Sequence, residues 1–541
     1  MNTRIAVIDR NLCSPENCGG QPCAKFCPVN RMGEECVTIE KTAKISESLC
    51  TGCGICVKKC PFHAINIINL ASPIQEKLVY NYGENSFSLY GLALPKGRVG
   101  IIGDNGCGKT TNVRLVEGRL KIQGFPSVEV KEFFGKNLKI VVKPQEISAQ
   151  NLKGKVGSIV EKMKNESYEG ISEALDLKYI LEKDASTLSG GELQKLYLAA
   201  AITAESDALI LDEPFAFLDY AYRIKLTEYL KKIEKNMLII EHDLSLLSYL
   251  CESVYILYGA PGAYGVVSNT YPTERGINMF LNGFINPENV RFRDEPIKYK
   301  KYAVEQEVSK NFIIKPFSEK LEGFELINEE KIEVDKGVVI GIAGKNGIGK
   351  STLCRHLNNI LDSSMKNQIL PRSDEIVGDF IKIANSFDES FVKAMNLKNL
   401  EFYSVNQISG GELQKLEIFK CLNKQKTIYI LDEPTNMLDV NGRIILSKML
   451  REKASEGASI LIVDHDLEFL LNTVDKLMIL DGTPGVRGSV KGIYEKEEGI
   501  KRLLSAFELT YRRDEETNRI KLNKKGSVKD VELKKSGKYI E

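Results

Sequence analysis

Surplus charge of either sign is missing from this sequence: 74 Lys and Arg stand against 73 Asp and Glu over 541 residues. That balance excludes the strongly basic and strongly acidic classes, so any anionic partner must be met by local patches. No apolar run approaches the ~18 residues that a membrane helix needs. The opening, MNTRIAVIDR, lacks the apolar core of a secretory signal. Together these absences point to a cytoplasmic protein with no membrane partner. Histidine is scarce as well, with four in the whole chain, so each one has to be placed. The length and the 43% apolar content are those of a soluble chain of three or four domains.

Cysteine is present and unevenly spread, with nine of thirteen in the first 60 residues. A disulfide scaffold belongs to exported proteins, and here the spacing is more specific than that. Cys50-x2-Cys53-x2-Cys56-x3-Cys60-Pro61 is the bacterial ferredoxin run. In such a run three thiolates hold one [4Fe–4S] cluster and the fourth reaches across to a second. The partner run is Cys13, Cys18, Cys23 and Cys27, followed by Pro28. Crosswise ligation assigns Cys13, Cys18, Cys23 and Cys60 to cluster one. Cluster two takes Cys27, Cys50, Cys53 and Cys56. Four-cysteine zinc is the rival reading. Cys36 fits neither quartet and reads as a small buried residue.

The remainder repeats itself. GDNGCGKT (Gly103, Asp104, Asn105, Gly106, Cys107, Gly108, Lys109, Thr110) and GKNGIGKS (Gly344, Lys345, Asn346, Gly347, Ile348, Gly349, Lys350, Ser351) both match the phosphate-binding loop. Thr111 and Thr352 follow them. Each loop succeeds an apolar strand-like run and precedes a plausible helix, the context the motif requires. Lys109 and Lys350 supply charge to the β- and γ-phosphates of a nucleoside triphosphate, and Thr110 and Ser351 offer hydroxyls to Mg²⁺. LSGGELQKL (188–196) recurs 220 positions later as ISGGELQKL, and LILDEPFAFLD recurs at the same offset as YILDEPTNMLD. Asp212 and Asp432 end buried strands where they can serve Mg²⁺, while Glu213 and Glu433 can polarise water. His242 and His465 end the next strand of each half, whereas His63 and His356 read as ordinary structural histidines.

These residues resemble the twin-cassette ABC ATPases. With two ferredoxin-like quartets in front, the chain resembles the ribosome-recycling, RNase L inhibitor branch of that family, in an archaeal-type version. GINMFLNGFINPENVRFR (276–293) and ELTYRRDEETNRIKLNKKGSVKD (508–530) are similar to its two hinge segments. The resemblance implies an α/β chain with two ABC nucleotide-binding domains in tandem behind a ferredoxin-like α+β domain. The expected division is 1–72 for the iron–sulfur domain, 73–272 for the first cassette and 273–300 for a hinge. The second cassette then spans 301–505 and a C-terminal hinge segment 506–541. Head-to-tail cassettes imply two composite sites. Site one would use Lys109, Thr110, Gln145, Asp212, Glu213 and His242, closed by Ser409, Gly410 and Gly411. Site two would use Lys350, Ser351, Gln368, Asp432, Glu433 and His465, closed by Ser189, Gly190 and Gly191. The implied partners are the small ribosomal subunit with its rRNA and release-factor-like proteins. The implied state is a monomer with an internal pseudo-dimer. An iron–sulfur ATPase driving electron transfer, or a soluble transporter subunit, are the competing functions.

The chain departs from the family pattern in several places. Asp104 and Lys345 stand where proline is common. Tyr82 and Phe87 match the segment that stacks adenine, while the second half keeps Phe324 but has Leu321 opposite. Only 17 residues separate Ser351 from Gln368, against 35 from Thr110 to Gln145. The second cassette is therefore expected to have lost part of its β-subdomain. In the first cassette, the family's two-helix insertion would have to fit within about twenty residues after Glu117, at ~8 residues per short helix. At most one or two helical turns near 129–134 are expected. Docking is then expected to lean on Arg291, Arg293, Arg512 and Arg513 of the hinges, unless those arginines brace the cassettes.

Overall fold

The computed structural model describes residues 2–541 apart from 47–48, 72–77, 125–127, 151, 164, 166, 300–308, 322, 369 and 383–388. The expected domain boundaries at 72/73 and 300/301 lie outside the described residues.

Each cassette is built on an eight-stranded mixed sheet. In the first, the order is Leu78–Asn81, Ser88–Tyr90, Tyr264–Pro272, Ser253–Ala260, Arg98–Gly103, Asn236–Ile240, Ala208–Asp212, Ile140–Lys143. In the second it is Phe317–Leu321, Phe324–Asn328, Arg487–Glu495, Lys476–Thr483, Val339–Ala343, Ser459–Val463, Ile428–Asp432, Ser363–Lys366. The strands that carry the motifs are parallel to their neighbours in both halves. Ala208–Asp212 and Ile428–Asp432 are buried at every position, which is why they read as unbroken apolar runs. The loops at the carboxyl ends of such strands form the crevice where ligands of open α/β sheets sit.

The two orders match strand for strand, so the second cassette has lost no part of its sheet. This corrects the expectation drawn from the short Ser351–Gln368 interval. What that interval lacks is the helix Val128–Gly135 of the first cassette. Ser363–Lys366 instead follows almost directly on the helix Lys350–Ile360. Val128–Gly135 is also the one helix described between Glu117 and Ile140, so the first cassette has no two-helix insertion among the described residues.

The N-terminal unit pairs Asn2–Ile8 antiparallel with Ile65–Ala71 and adds the ladder Val37–Ile39/Ala43–Ile45. Its short helices are Pro22–Lys25, Pro28–Arg31 and Ile55–Lys59. Among the described residues, Cys23, Cys27, Cys36 and Cys56 make up four of the ten buried members of its core. Asn85 plugs this unit onto the first cassette: its Nδ2 donates to the carbonyls of Ala6 (2.9 Å) and Ile45 (3.0 Å), and its Oδ1 accepts from Ile45 N–H at 2.8 Å. On the other side Phe62 and His63 pack against Phe402 of the second cassette. His63 thus has the structural role expected of it. So does His356, stacked on Phe317 with ring centroids 4.0 Å apart.

The hinge segments lock the halves together. Thr273–Asn282 lies on the strand Ser253–Ala260 as Lys496–Ala506 lies on Lys476–Thr483, so these two helices are equivalent cassette elements. A hinge drawn from 273 therefore takes one cassette helix with it. Arg519 is fully buried and pairs with Glu274, while Ser245 Oγ donates to the carbonyl of Ile520 at 2.7 Å. The hinge arginines mostly face inward, which favours bracing over rRNA contact. Arg293 reaches Asp104 of the first phosphate loop at 3.1 Å and donates to Phe280 O. Arg512 and Arg513 donate to Asn523 Oδ1 and Asn518 O. Arg291, beside the Phe284 ring, is the exposed one of the four.

Candidate functional site

Both phosphate loops turn into their helices through a glycine with a left-handed backbone, Gly108 (φ 99°) and Gly349 (φ 94°). A Cβ at Gly108 would also lie 2.7 Å from Phe87, and one at Gly349 would lie 2.8 Å from Phe324. Phe324 is therefore the positional equivalent of Phe87. Tyr82, half-exposed beside Phe87, has its hydroxyl 3.3 Å from Thr111 Oγ1, so the first cassette places two aromatic rings at the loop. The second offers Phe324 with the exposed aliphatic Leu321. Lys109 Nζ donates to the carbonyls of Gly103 (2.7 Å) and Asp104 (3.3 Å). Lys350 Nζ does so to Gly344 (2.8 Å) and Lys345 (2.9 Å).

The motif S-G-G-E is a helix-capping box by chemistry. Ser189 and Ser409 cap the helices Gly190–Thr203 and Gly410–Leu422, exchanging bonds with Glu192 and Glu412. The helix N-termini with their glycine amides form a positive pole suited to an anion. Across the cassette interface Asn105 N–H donates to Asp439 Oδ2 at 2.9 Å and its Nδ2 to Met437 O at 3.1 Å. The mirror contacts join Asn346 to Asp219 (2.9 Å) and Phe217 (3.3 Å). A Cβ on Gly411 would stand 3.1 Å from Asn105 Nδ2, and one on Gly191 would stand 3.8 Å from Asn346 Nδ2. Each phosphate loop thus faces the other half's S-G-G segment, in the pairing the sequence implied.

Glu213 and Glu433 both sit at φ 48°, a backbone that costs a non-glycine residue on the order of 1 kcal/mol. Gln145 Nε2 donates to Glu213 Oε1 at 2.7 Å, and Gln368 bonds Glu433 in the same way. His242 and His465 place Nε2 3.6 Å from the respective glutamates. Burial, reinforced by Lys109 or Lys350 and by an arginine of the opposite cassette, holds both histidines well below 6.5, hence neutral. Burial and then the adjacent aspartate push both glutamates above the usual carboxylate range.

Two buried lysines escaped the sequence reading. Lys143 Nζ donates to the main-chain carbonyls of Asp212 (2.8 Å) and Glu213 (3.1 Å). Lys366 does the same to Asp432 (2.8 Å) and Glu433 (3.2 Å). Burial brings both ammonium groups down to about 8. Gln194 and Gln414 bond the same glutamate carbonyls from the S-G-G-E-L-Q helices. The signals were a shared K-x-Q ending on Gln145 and Gln368 and the repeated glutamine of ELQKL. These donors hold the strained glutamate peptide in place. Lys143→Met is expected to lower site-one turnover about tenfold to a hundredfold without weakening ATP binding, read by steady-state kinetics against a nucleotide titration.

The donors suit the groups the motifs imply. Asp432 Oδ1 is buried with no hydrogen-bond partner among the described residues, and Asp432 also bonds the Ser351 hydroxyl, an arrangement that fits Mg²⁺. Cys13, Cys18, Cys23 and Cys60 line one cavity with Ile39, Phe62 and Ile65. Cys56 neighbours Cys50 and Cys53, and Cys36 bonds both Cys27 and Cys50, which draws the second quartet together. Among the described residues no three His, Cys, Asp or Glu side chains converge on a point that one ion could fill. Four sulfurs lining one cavity fit an iron–sulfur cluster. Cys36 is 2% exposed, as expected of a small core residue.

Composite phosphate sites between two such sheets define a tandem ABC ATPase. The ABC transporter family matches residues 91–216 and 368–436. A possible Fer4-like domain in RNase L inhibitor matches 3–35, and a 4Fe-4S binding domain matches 43–66. An uncharacterised ABC transporter ATP-binding protein of Methanocaldococcus jannaschii is 38% identical, covering 99% of this chain and 97% of its own. Translation initiation factor RLI1 of Saccharomyces cerevisiae is 33% identical over 100% and 98%. A structure of ribosome-bound archaeal Pelota and ABCE1 superposes with a TM-score of 0.93 at 35% identity, covering 100% of this chain and 99% of that one. An archaeal ribosome recycling factor, solved with ribosomal stalk protein aP1, superposes at 0.79 and 33%, covering 87% and 100%. The chain belongs to the RNase L inhibitor (ABCE) family. It is an ATP hydrolase that carries 4Fe–4S binding domains and uses ATP and Mg²⁺. No described helix is long and apolar enough to cross a membrane.

Proposed function

We propose that this protein is an ATP-driven ribosome-recycling factor that binds the small subunit and splits ribosomes after termination or rescue. The observation that carries it is the composite geometry, in which Asn105 and Asn346 each bond the opposite half, joined to an iron–sulfur unit that touches both cassettes. ATP between a phosphate loop and the opposite S-G-G segment favours the closed halves, and hydrolysis removes that differential contact. Because Asn85 and Phe402 hold the N-terminal unit from two sides, relative motion of the cassettes must move it.

In this reading Lys109 and Lys350 bind the phosphates. Asp212 with Thr110, and Asp432 with Ser351, would hold Mg²⁺, which when bound would supply charge neutralisation for phosphoryl transfer. Glu213 and Glu433 orient and deprotonate the attacking water. His242 and His465, being neutral, bond the γ-phosphate side, and Gln145 and Gln368 hold the glutamates. Tyr82, Phe87 and Phe324 take the base. Two [4Fe–4S] clusters, on the crosswise quartets, supply rigidity rather than redox chemistry. Small-subunit rRNA and release-factor-like proteins are the partners, and the chain works as a cytoplasmic monomer. Co-sedimentation with small ribosomal subunits, with and without a non-hydrolysable ATP analogue, tests this reading.

A further inference from the structure

The first phosphate loop carries a carboxylate where the second carries an ammonium: Asp104 follows Gly103, and Lys345 follows Gly344. Arg293 of the hinge covers that carboxylate, its Nη2 donating to Asp104 Oδ1 at 3.3 Å and to Oδ2 at 3.1 Å. The rest of its surroundings fix the guanidinium in place. Its Nη1 donates to Phe280 O at 2.9 Å, and it lies 4.9 Å and 5.5 Å from the ring centroids of Phe280 and Phe292. Gly283 ends the helix Thr273–Asn282 with a left-handed backbone (φ 68°), and its carbonyl accepts the N–H groups of Phe292 (2.9 Å) and Arg293 (3.3 Å). A Cβ there would stand 2.6 Å from Arg293 Cβ, so the turn that returns the arginine to the loop needs this glycine.

We infer that Arg293 is a positioning residue for ATP at site one, which neutralises Asp104 and so ties the nucleotide affinity of that loop to the docking of the hinge. Asp104 stands near Lys109, which attracts it, and near Asp439 of the opposite cassette, which opposes it. Phosphate charge entering the same loop is repelled by an uncompensated carboxylate, and this one is 31% exposed, so water screens it only in part. The arginine removes that repulsion from a position the hinge turn has already fixed. By linkage, a bound nucleotide holds the turn against the loop as strongly as the turn favours the nucleotide. Lys345 brings positive charge to the second loop on its own side chain, and site two needs no such partner.

The inference rests on the loop at Lys109 being a nucleotide site. ATP titration of the full chain by filter binding, in a Lys350→Ala background that silences site two, reads site one alone. Arg293→Gln keeps a donor for Phe280 O but loses the charge, and is expected to weaken ATP binding about tenfold. Adding Asp104→Asn to it is expected to recover most of that loss, because no carboxylate is then left uncovered. Arg293→Lys, which keeps the charge, is expected to lose much less than Arg293→Gln. A purely structural arginine would give a loss that Asp104→Asn leaves in place. Unchanged affinity in Arg293→Gln, no recovery in the double variant, or an equal loss in Arg293→Lys overturns the inference. Should Lys109→Ala in the same background bind ATP normally, the site assignment fails instead, so the two failures are distinguishable.

Discussion

Glutamine at both 213 and 433 is expected to cut ATP hydrolysis by about 10²–10⁴ while leaving nucleotide binding intact. Each glutamate lies at the end of a fully buried strand, in a strained backbone held by Lys143 and Gln194 or by Lys366 and Gln414. The amide keeps the shape and can still accept from Gln145 or Gln368, so the loop has no reason to move. What is lost is a carboxylate whose basicity burial has raised. Without hydrolysis nothing removes the phosphate contacts that hold the halves together, and the double variant should accumulate closed on the small subunit. Filter-bound nucleotide and phosphate release, measured side by side, check this. Turnover at the wild-type rate would remove both residues from the catalytic assignment.

Cys53→Ser is expected to unfold the N-terminal unit and abolish ribosome splitting while leaving most of the basal ATPase. Cys53 is exposed, so serine there removes almost no packing and any collapse reports the lost ligand. Among the described residues, cysteines supply four of the ten that are buried in this unit's core. Metal binding then provides folding free energy that so small an apolar core cannot. The cassettes have cores of their own and keep their composite sites. Iron content, protease sensitivity of the first 70 or so residues, and ATPase rate separate the two effects. Intact splitting by an iron-free variant would contradict a structural role for the clusters.

Much of this molecule was legible because its chemistry is local in sequence. Phosphate loops, S-G-G-E caps and Cys-x2-Cys runs are each set by neighbours a few residues apart, and the 220-residue offset checked one half against the other. The interval between Ser351 and Gln368 misled because length does not say which element is missing. A helix had gone, and the eight strands remained. Lys143 and Lys366 were missed because a lysine in a strand reads as solvated until the two carbonyls it satisfies are seen. The hinge arginines could be read either as rRNA contacts or as braces for the same reason. Arg293 could not be matched to Asp104 across 189 residues without the fold.

The central claim is that nucleotide-driven closure binds this protein to the small ribosomal subunit, and sedimentation through a sucrose cushion tests it most directly. With a non-hydrolysable ATP analogue the protein should pellet with small subunits, and with ADP it should stay in the supernatant. The Glu213→Gln/Glu433→Gln variant should pellet with ATP itself. Equal partitioning in all nucleotide states, or no pelleting in any, would contradict the account.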